Sequence, residues 1–226
     1  MAHRKAYESV VRQQSAQQTK LLIARAAERL FLSRGYAESS VAAIAREAGV
    51  SGQTVYNVFG TKAALLKYLY DVTLVGDAEP VPFAQRPDVV ALYALPDARE
   101  FLTAYARIGL GLLHRLGPLM SVVMAGAAAG NADLVALVEQ TGRERLVGAT
   151  MAAQHAVKLG GLRDGVTTDD ARDAIWTLNS VEVWRLLCRD RGWSDEAYVS
   201  WVGRAMADAF LPSTGRPGPP RSSELS

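Results

Sequence analysis

Residues 40–62 read SVAAIAREAGVSGQTVYNVFGTK. Val41, Ile44, Ala45 and Ala48 recur at i, i+3, i+4 and i+7, which is one apolar face of a short helix, and Ser40 stands where an N-cap hydroxyl belongs. Gly49 follows, free to take the left-handed backbone that ends a helix. Ser51 offers a second cap, and Val55 and Phe59, four residues apart, give the next helix one side to bury. Its other side is polar: Gln53 and Asn57 point together, with Thr54 and Tyr56 beside them. Amide side chains pair bidentately with adenine edges, while hydroxyls and helix N-terminal amides suit phosphate oxygens. Gly52 lets the backbone approach a ligand closely, and Lys62, just past the helix, can meet a phosphate as a point charge. The stretch reads as a helix-turn-helix, a hairpin that many all-helical proteins share, whose polar face here suits DNA. Gln53, Thr54 and Asn57 are expected to read bases, and Ser40, Ser51, Tyr56 and Lys62 to hold phosphates.

Outward from this core, Ile23, Ala24, Ala27, Leu30, Phe31, Gly35 and Tyr36 lie upstream, and Thr61, Lys62, Leu65 and Leu66 downstream. With the register Ile44-Ala45-x-Glu47-Ala48-Gly49-Val50-Ser51-x-x-Thr54-Val55-Tyr56-x-x-Phe59-x-x-Lys62, the segment from Thr19 to Tyr68 resembles the DNA-binding domain of TetR-type transcriptional regulators. Two positions depart from that pattern: Val58 stands where many relatives carry His or an aromatic residue, and Ala63 where Glu is usual. The resemblance implies an all-α protein, with an N-terminal three-helix DNA-binding domain and a larger C-terminal helical domain for ligand binding and dimerisation.

Composition agrees with that plan. A chain of 226 residues, 49% hydrophobic and 21% charged, suits one small and one larger globular domain. Formal charge is uneven, +5 over residues 1–75 and −3 over the remainder, as expected for a nucleic-acid module attached to something else. No uninterrupted apolar run approaches the roughly 20 residues of a membrane span, and the N-terminus lacks the apolar centre of a secretory signal, so a cytoplasmic protein is expected. Cys188 is the only cysteine, which excludes an intrachain disulfide and fits a small packing residue.

Taken in order, residues 1–18 read as a flexible basic arm, 19–66 as the DNA-binding domain, 67–211 as the regulatory and dimerisation domain, and 212–226, rich in Pro, Gly and Ser, as a disordered tail. A helix capped by Thr61 is the expected mechanical link between the domains. Four prolines between 76 and 96 predict loops or short turns. A helix from about Asp97 is expected to end at Gly117-Pro118, a short one to follow, and a long one to run from an Asn131 cap to Leu159. Thr167 and Asp170 are spaced as a capping pair for a helix to about Arg191, and Ser194 caps the last. These two final helices are apolar around most of their circumference, so they need burial on more than one side. TetR-type proteins pair through their last two helices, which makes Val181, Trp184, Cys188, Val199, Val202 and Met206 the expected homodimer interface.

An enzyme reading finds little to stand on. His3, His114 and His155 are scattered, and no nucleophile motif, phosphate loop, dinucleotide fingerprint or metal-ligand spacing is present; no catalytic residue, cofactor or metal is expected. The resemblance implies instead a pocket for a small apolar or aromatic effector. Tyr105, Met120, Met124, Met151, His155, Trp176 and Asn179 are its candidate lining, because they add aromatic surface, an adaptable thioether or a polar handle to otherwise apolar helices. The reading is therefore a dimeric regulator, released from a palindromic operator by its effector. The alternative is a helical ligand sensor or carrier without operator binding.

Overall fold

The computed structural model describes residues 2–76 and 81–213, with side chains from Gln14 onward. Every regular element among them is helical. In order these are α1 (Ala2–Glu38), α2 (Val41–Glu47), α3 (Gly52–Phe59), α4 (Lys62–Val75), a 3-10 turn (Phe83–Gln85), α5 (Pro87–Tyr93), α6 (Ala98–Ala128), α7 (Ala132–Gly160), α8 (Thr168–Leu178), α9 (Val181–Trp184), a π-helical stretch (Arg185–Asp190) and α10 (Asp195–Phe210). The chain divides into two compact units. One holds residues up to Val81 with Gly111–Arg143, and the other holds Pro82–Leu110 with the chain from Glu144 onward.

In the first unit, α1 supplies Ile23, Ala27 and Phe31, α2 Ile44, α3 Val55, and α4 Leu65, Leu66 and Leu69 to one core, each 3% exposed or less. Each large side chain so buried contributes about 1.5–3 kcal/mol, and truncating one at the centre, Phe31→Ala, would cost about 3–5 kcal/mol. Residues 2–18, expected as an arm, are helical and continuous with α1; the helix is interrupted only at Gly35, whose φ is +80°. The C-terminus of α4 is closed from α6: Arg115 donates from Nε to the carbonyl of Thr73 (3.3 Å) and from Nη2 to that of Leu74 (3.1 Å). These are carbonyls that a helix end leaves without intrahelical partners, and a cation suits that end of the dipole.

Two expected boundaries move. Gly117-Pro118 does not end a helix; α6 continues to Ala128 with Pro118 inside it. A helix-interior proline costs about 3 kcal/mol, but Leu113, Leu116, Leu119, Met120 and Val123 on either side are all buried, and five such side chains at about 1.5–3 kcal/mol each outweigh it. By length and composition the resulting helix is apolar enough to cross a membrane. Its Phe101, Leu102, Ala106 and Leu110 are spent on protein packing.

The second departure lies in the second unit. Thr167 and Asp170 do form a capping box at the start of α8, but the helix stops at Leu178. Asn179 takes φ −96°, ψ 57°, and Ser180 caps a new start at α9. Arg145 of α7 explains the stop, because its Nη2 donates to the carbonyls of Trp176 (2.8 Å) and Asn179 (3.2 Å). Around this break, α6, α7, α8 and α10 share a core of Phe101, Leu102, Ala152, Ala153, Ile175, Tyr198, Val202 and Phe210. The alanines on α7 and Gly203 on α10 allow close approach: a Cβ at 203 would lie 2.8 Å from the Cα of Thr103. The proline-rich segment forms the 3-10 turn and α5, with Pro87 at the first helical turn, where its missing N–H has no cost. The expected disordered tail lies, beyond Ser213, outside the described residues.

Candidate nucleic-acid interface

The two serines hold the helix-turn-helix. Ser40 Oγ accepts the N–H of Ala43 at 3.1 Å, and Ser51 Oγ accepts that of Thr54 at 3.0 Å while sharing a 2.8 Å hydrogen bond with Thr54 Oγ1. Between the helices Gly49 sits at φ +68°, the left-handed backbone that ends α2. Val55 is buried; Gln53, Tyr56 and Asn57 face solvent, with Gly52 and Thr54 half-exposed. Gln53 Nε2 donates to Asn57 Oδ1 at 2.8 Å. This bond fixes both rotamers in advance and leaves Gln53 Oε1 as acceptor and Asn57 Nδ2 as donor, the pair that matches N6 and N7 of adenine. Of the eight expected positions, seven lie at the N-caps of α2 and α3 and along α3, where Ser40, Ser51, Gln53, Tyr56 and Asn57 are exposed.

Lys62 is the eighth, and its placement differs. Its ammonium donates to the carbonyls of Tyr36 (2.8 Å) and Ser39 (3.3 Å) and lies 4.0 Å from the centroid of the Tyr36 ring. Desolvation lowers its pKa, partly opposed by the charges of Asp133 and Glu38. Lys62 is a clasp between the start of α4 and the turn joining α1 to α2, and a phosphate would have to take it from those carbonyls. Beyond it, the Tyr36 hydroxyl donates to Asp133 Oδ2 at 2.8 Å, and burial and this carboxylate push the phenol's pKa well up. The sequence carries no local signal for this bond, whose partners are 97 residues apart. Outside the clasp, Arg29 pairs with Glu47 at 2.9 Å between two exposed side chains, a brace from α1 to α2 worth at most about 1 kcal/mol.

In the second unit, four of the seven expected pocket residues fall into one group. The His155 ring packs against Tyr93 (4.9 Å) and Phe101 (4.7 Å), and Phe101 against Tyr105 (6.1 Å). The carboxamide of Asn179 hydrogen-bonds the Tyr105 hydroxyl, whose pKa burial pushes up to about 12, and Arg145 stacks on Trp176 at 5.0 Å. Tyr93 and Arg145 belong to this group as well and were not singled out in the sequence. The three thioethers do not fit a common wall of this unit: Met120 and Met124 belong to the first unit, and Met151 of α7 is half exposed.

The expected dimer residues differ in exposure within the chain. Trp184, Val199, Val202 and Met206 are 3% exposed or less within the chain's own second unit, which leaves a partner nothing of them to cover. Val181 and Cys188 are half-buried. The apolar side chains that do reach the surface of the last elements are Trp176 (38%), Leu186 (50%) and Trp201 (38%).

Comparison with known proteins agrees with this arrangement. Residues 23–69 match the family of bacterial regulatory proteins, tetR family. A search of curated proteins finds no match. Among solved structures, a protein described as a TetR-family transcriptional regulator from Rhodococcus sp. is 17% identical and superposes with a TM-score of 0.64 over 85% of this chain and 98% of its own. FadR from Bacillus subtilis, solved with stearoyl-CoA, is 21% identical (TM-score 0.65; 84% and 98% covered). A transcriptional regulator from Saccharomonospora viridis, solved with choline, is 20% identical (TM-score 0.62; 87% and 99% covered). Residues 23–69 are a tetR-family domain, and the chain that carries it has the fold of the TetR-type DNA-binding transcriptional regulators.

Proposed function

We propose that the protein is a cytoplasmic, non-enzymatic homodimeric repressor, which binds a palindromic operator through α3 and releases it when a small apolar or aromatic molecule binds the second unit. The observation that carries this reading is the Gln53–Asn57 pair, solvent-facing and bonded to itself: two amides held ready, with no role in the fold. Bases are read by Gln53, Thr54 and Asn57. Phosphates are held by Ser40, Ser51 and Tyr56, whose hydroxyls remain able to donate, and by the amides at Gly52.

Two copies of α3 in successive major grooves need centres about 34 to 36 Å apart. Because α6 and α7 each contribute residues to both units, a ligand-induced shift of either helix is communicated along it. Arg115 then passes that shift to the end of α4, and Asp133 passes it to Tyr36. A coupling of about 1–3 kcal/mol changes operator affinity by roughly five- to 150-fold. That two proteins of this fold were solved with small molecules supports a ligand-responsive reading. Pairing of copies through the surface of Trp176, Leu186 and Trp201 fits their exposure.

The test is selection of duplexes by the purified protein from a random pool, at two salt concentrations. An enriched palindrome supports the proposal. Binding that shows no enrichment and vanishes at moderate salt is charge attraction alone, and would leave a ligand sensor without an operator.

A further inference from the structure

Among the described residues, the buried polar atoms of the second unit that have no hydrogen-bond partner include Nε2 of His155 and Oδ1 of Asn179, besides the Tyr198 hydroxyl. Buried polar atoms are rarely left so, and His155 and Asn179 belong to the same group of side chains. Phe101, fully buried, sits at its centre with its ring against His155 and Tyr105. Tyr93 closes on Phe101 at 5.4 Å and on His155 at 4.9 Å. The Asn179 carboxamide bonds the Tyr105 hydroxyl and lies over Gly109, where an added Cβ would be 2.2 Å from Oδ1. Tyr93, Tyr105, His155 and Asn179 are each only half-buried, so this wall is accessible although its polar atoms are hidden. Asn179 is also the residue at which α8 breaks, directly before α9 and the π-helical stretch; such irregular turns recur at functional sites.

We propose that this wall binds an uncharged planar aromatic molecule carrying a hydroxyl group, with the hydroxyl bridging Asn179 Oδ1 and His155 Nε2. The proposal deepens the effector reading above and rests on it for its regulatory meaning. Aromatic rings set at a tilt accept another ring by edge or face. A hydroxyl both donates and accepts, so one group can give its hydrogen to the amide oxygen and accept the N–H of the imidazole in its Nε2-protonated tautomer. Charge selects further. The ionised groups acting on Tyr105 and His155 are Arg145 and Lys158, both cations, which disfavours a cationic ligand. Arg145 has its Nη2 committed to two carbonyls and its face to Trp176, so it offers no free fork to a carboxylate.

The experiment is calorimetric titration of the full chain, without DNA, with four probes of one size: para-cresol, its methyl ether, para-toluate and benzyltrimethylammonium. Para-cresol is expected to bind about tenfold more tightly than the ether, the difference one buried hydrogen bond makes. Asn179→Leu, which keeps the bulk, is expected to bring the two within about twofold, and His155→Phe to weaken para-cresol more than the ether. Equal affinity for para-cresol and the ether overturns the proposal, as does a preference for either ion, or no binding by any probe. Should the variants fail to fold, the wild-type comparison decides alone. Failure here with an operator selected from the pool would remove this site and keep the regulator; binding here with no operator would do the reverse.

Discussion

Tyr36→Phe isolates a single bond. The ring is 3% exposed, and a phenylalanine keeps it under the Lys62 ammonium and against Phe31, which it meets at 5.2 Å. Only the hydroxyl that donates to Asp133 Oδ2 at 2.8 Å is removed. A hydrogen bond to a charged group is worth about 1.5–3 kcal/mol. Asp133 is exposed and regains water when released, so the lower end applies, about 1.5 kcal/mol. All four tryptophans lie in the second unit, so their fluorescence follows that unit while far-ultraviolet circular dichroism follows both. In denaturant titrations, Tyr36→Phe should lower the dichroism-monitored stability by that amount, and Asp133→Asn by a similar amount. The double variant should cost little more than either single one, because both remove the same bond. Additive losses, or a loss below about 0.3 kcal/mol, would refute the reasoning. On the selected operator, the same variants should alter affinity although neither side chain is on the polar face of α3.

Gln53→Ala and Asn57→Ala should each lose about 1–3 kcal/mol of discrimination at one or two operator positions, read by competition with substituted duplexes; equal weakening on every sequence would remove the base-reading role. At Gly49, a Cβ meets nothing within 4 Å but the backbone stands at φ +68°, so Gly49→Ala should cost about 1–2 kcal/mol of stability from the backbone alone. Gly49→Asn should cost less, since asparagine tolerates that conformation, and thermal melts that ranked them the other way would point to a steric cause. His155 titrates below its ordinary value, through desolvation and then the charge of Lys158. As pH falls through the unfolded-state value near 6.5, the unfolded chain takes up the proton first and stability drops until the folded value is passed. The fluorescence-monitored transition should therefore weaken on the acid side, with a shallower slope in His155→Phe; identical slopes would place the titration elsewhere.

The helix-turn-helix was legible because each of its determinants is local: two serines three residues ahead of the amides they cap, a glycine at the one left-handed position, and polar amides one helical turn apart. The second unit was legible only where the same kind of signal operates, as at Thr167 and Asp170 or at Ser194. The break at Asn179 has no proline or glycine to announce it; it depends on Arg145, 34 residues earlier, and on the room left by Gly109. The opposite error at Pro118 has the same origin, since a local breaker lost to leucines whose partners lie on other helices. Apolar residues on every side of the last helices meant burial on every side, but sequence could not say whether the chain or a second copy supplies it. Trp184, Val202 and Met206 are covered by the chain itself. Lys62 shows where such reading stops. A cation beside a recognition helix has two claimants, the phosphate outside and the carbonyls within, and the choice is made by Tyr36 and Ser39, which α1 brings beneath it. If the carbonyls hold it, Lys62→Met should reduce stability and operator affinity together and leave the salt dependence of binding unchanged; a slope lower by about one would return it to the phosphate.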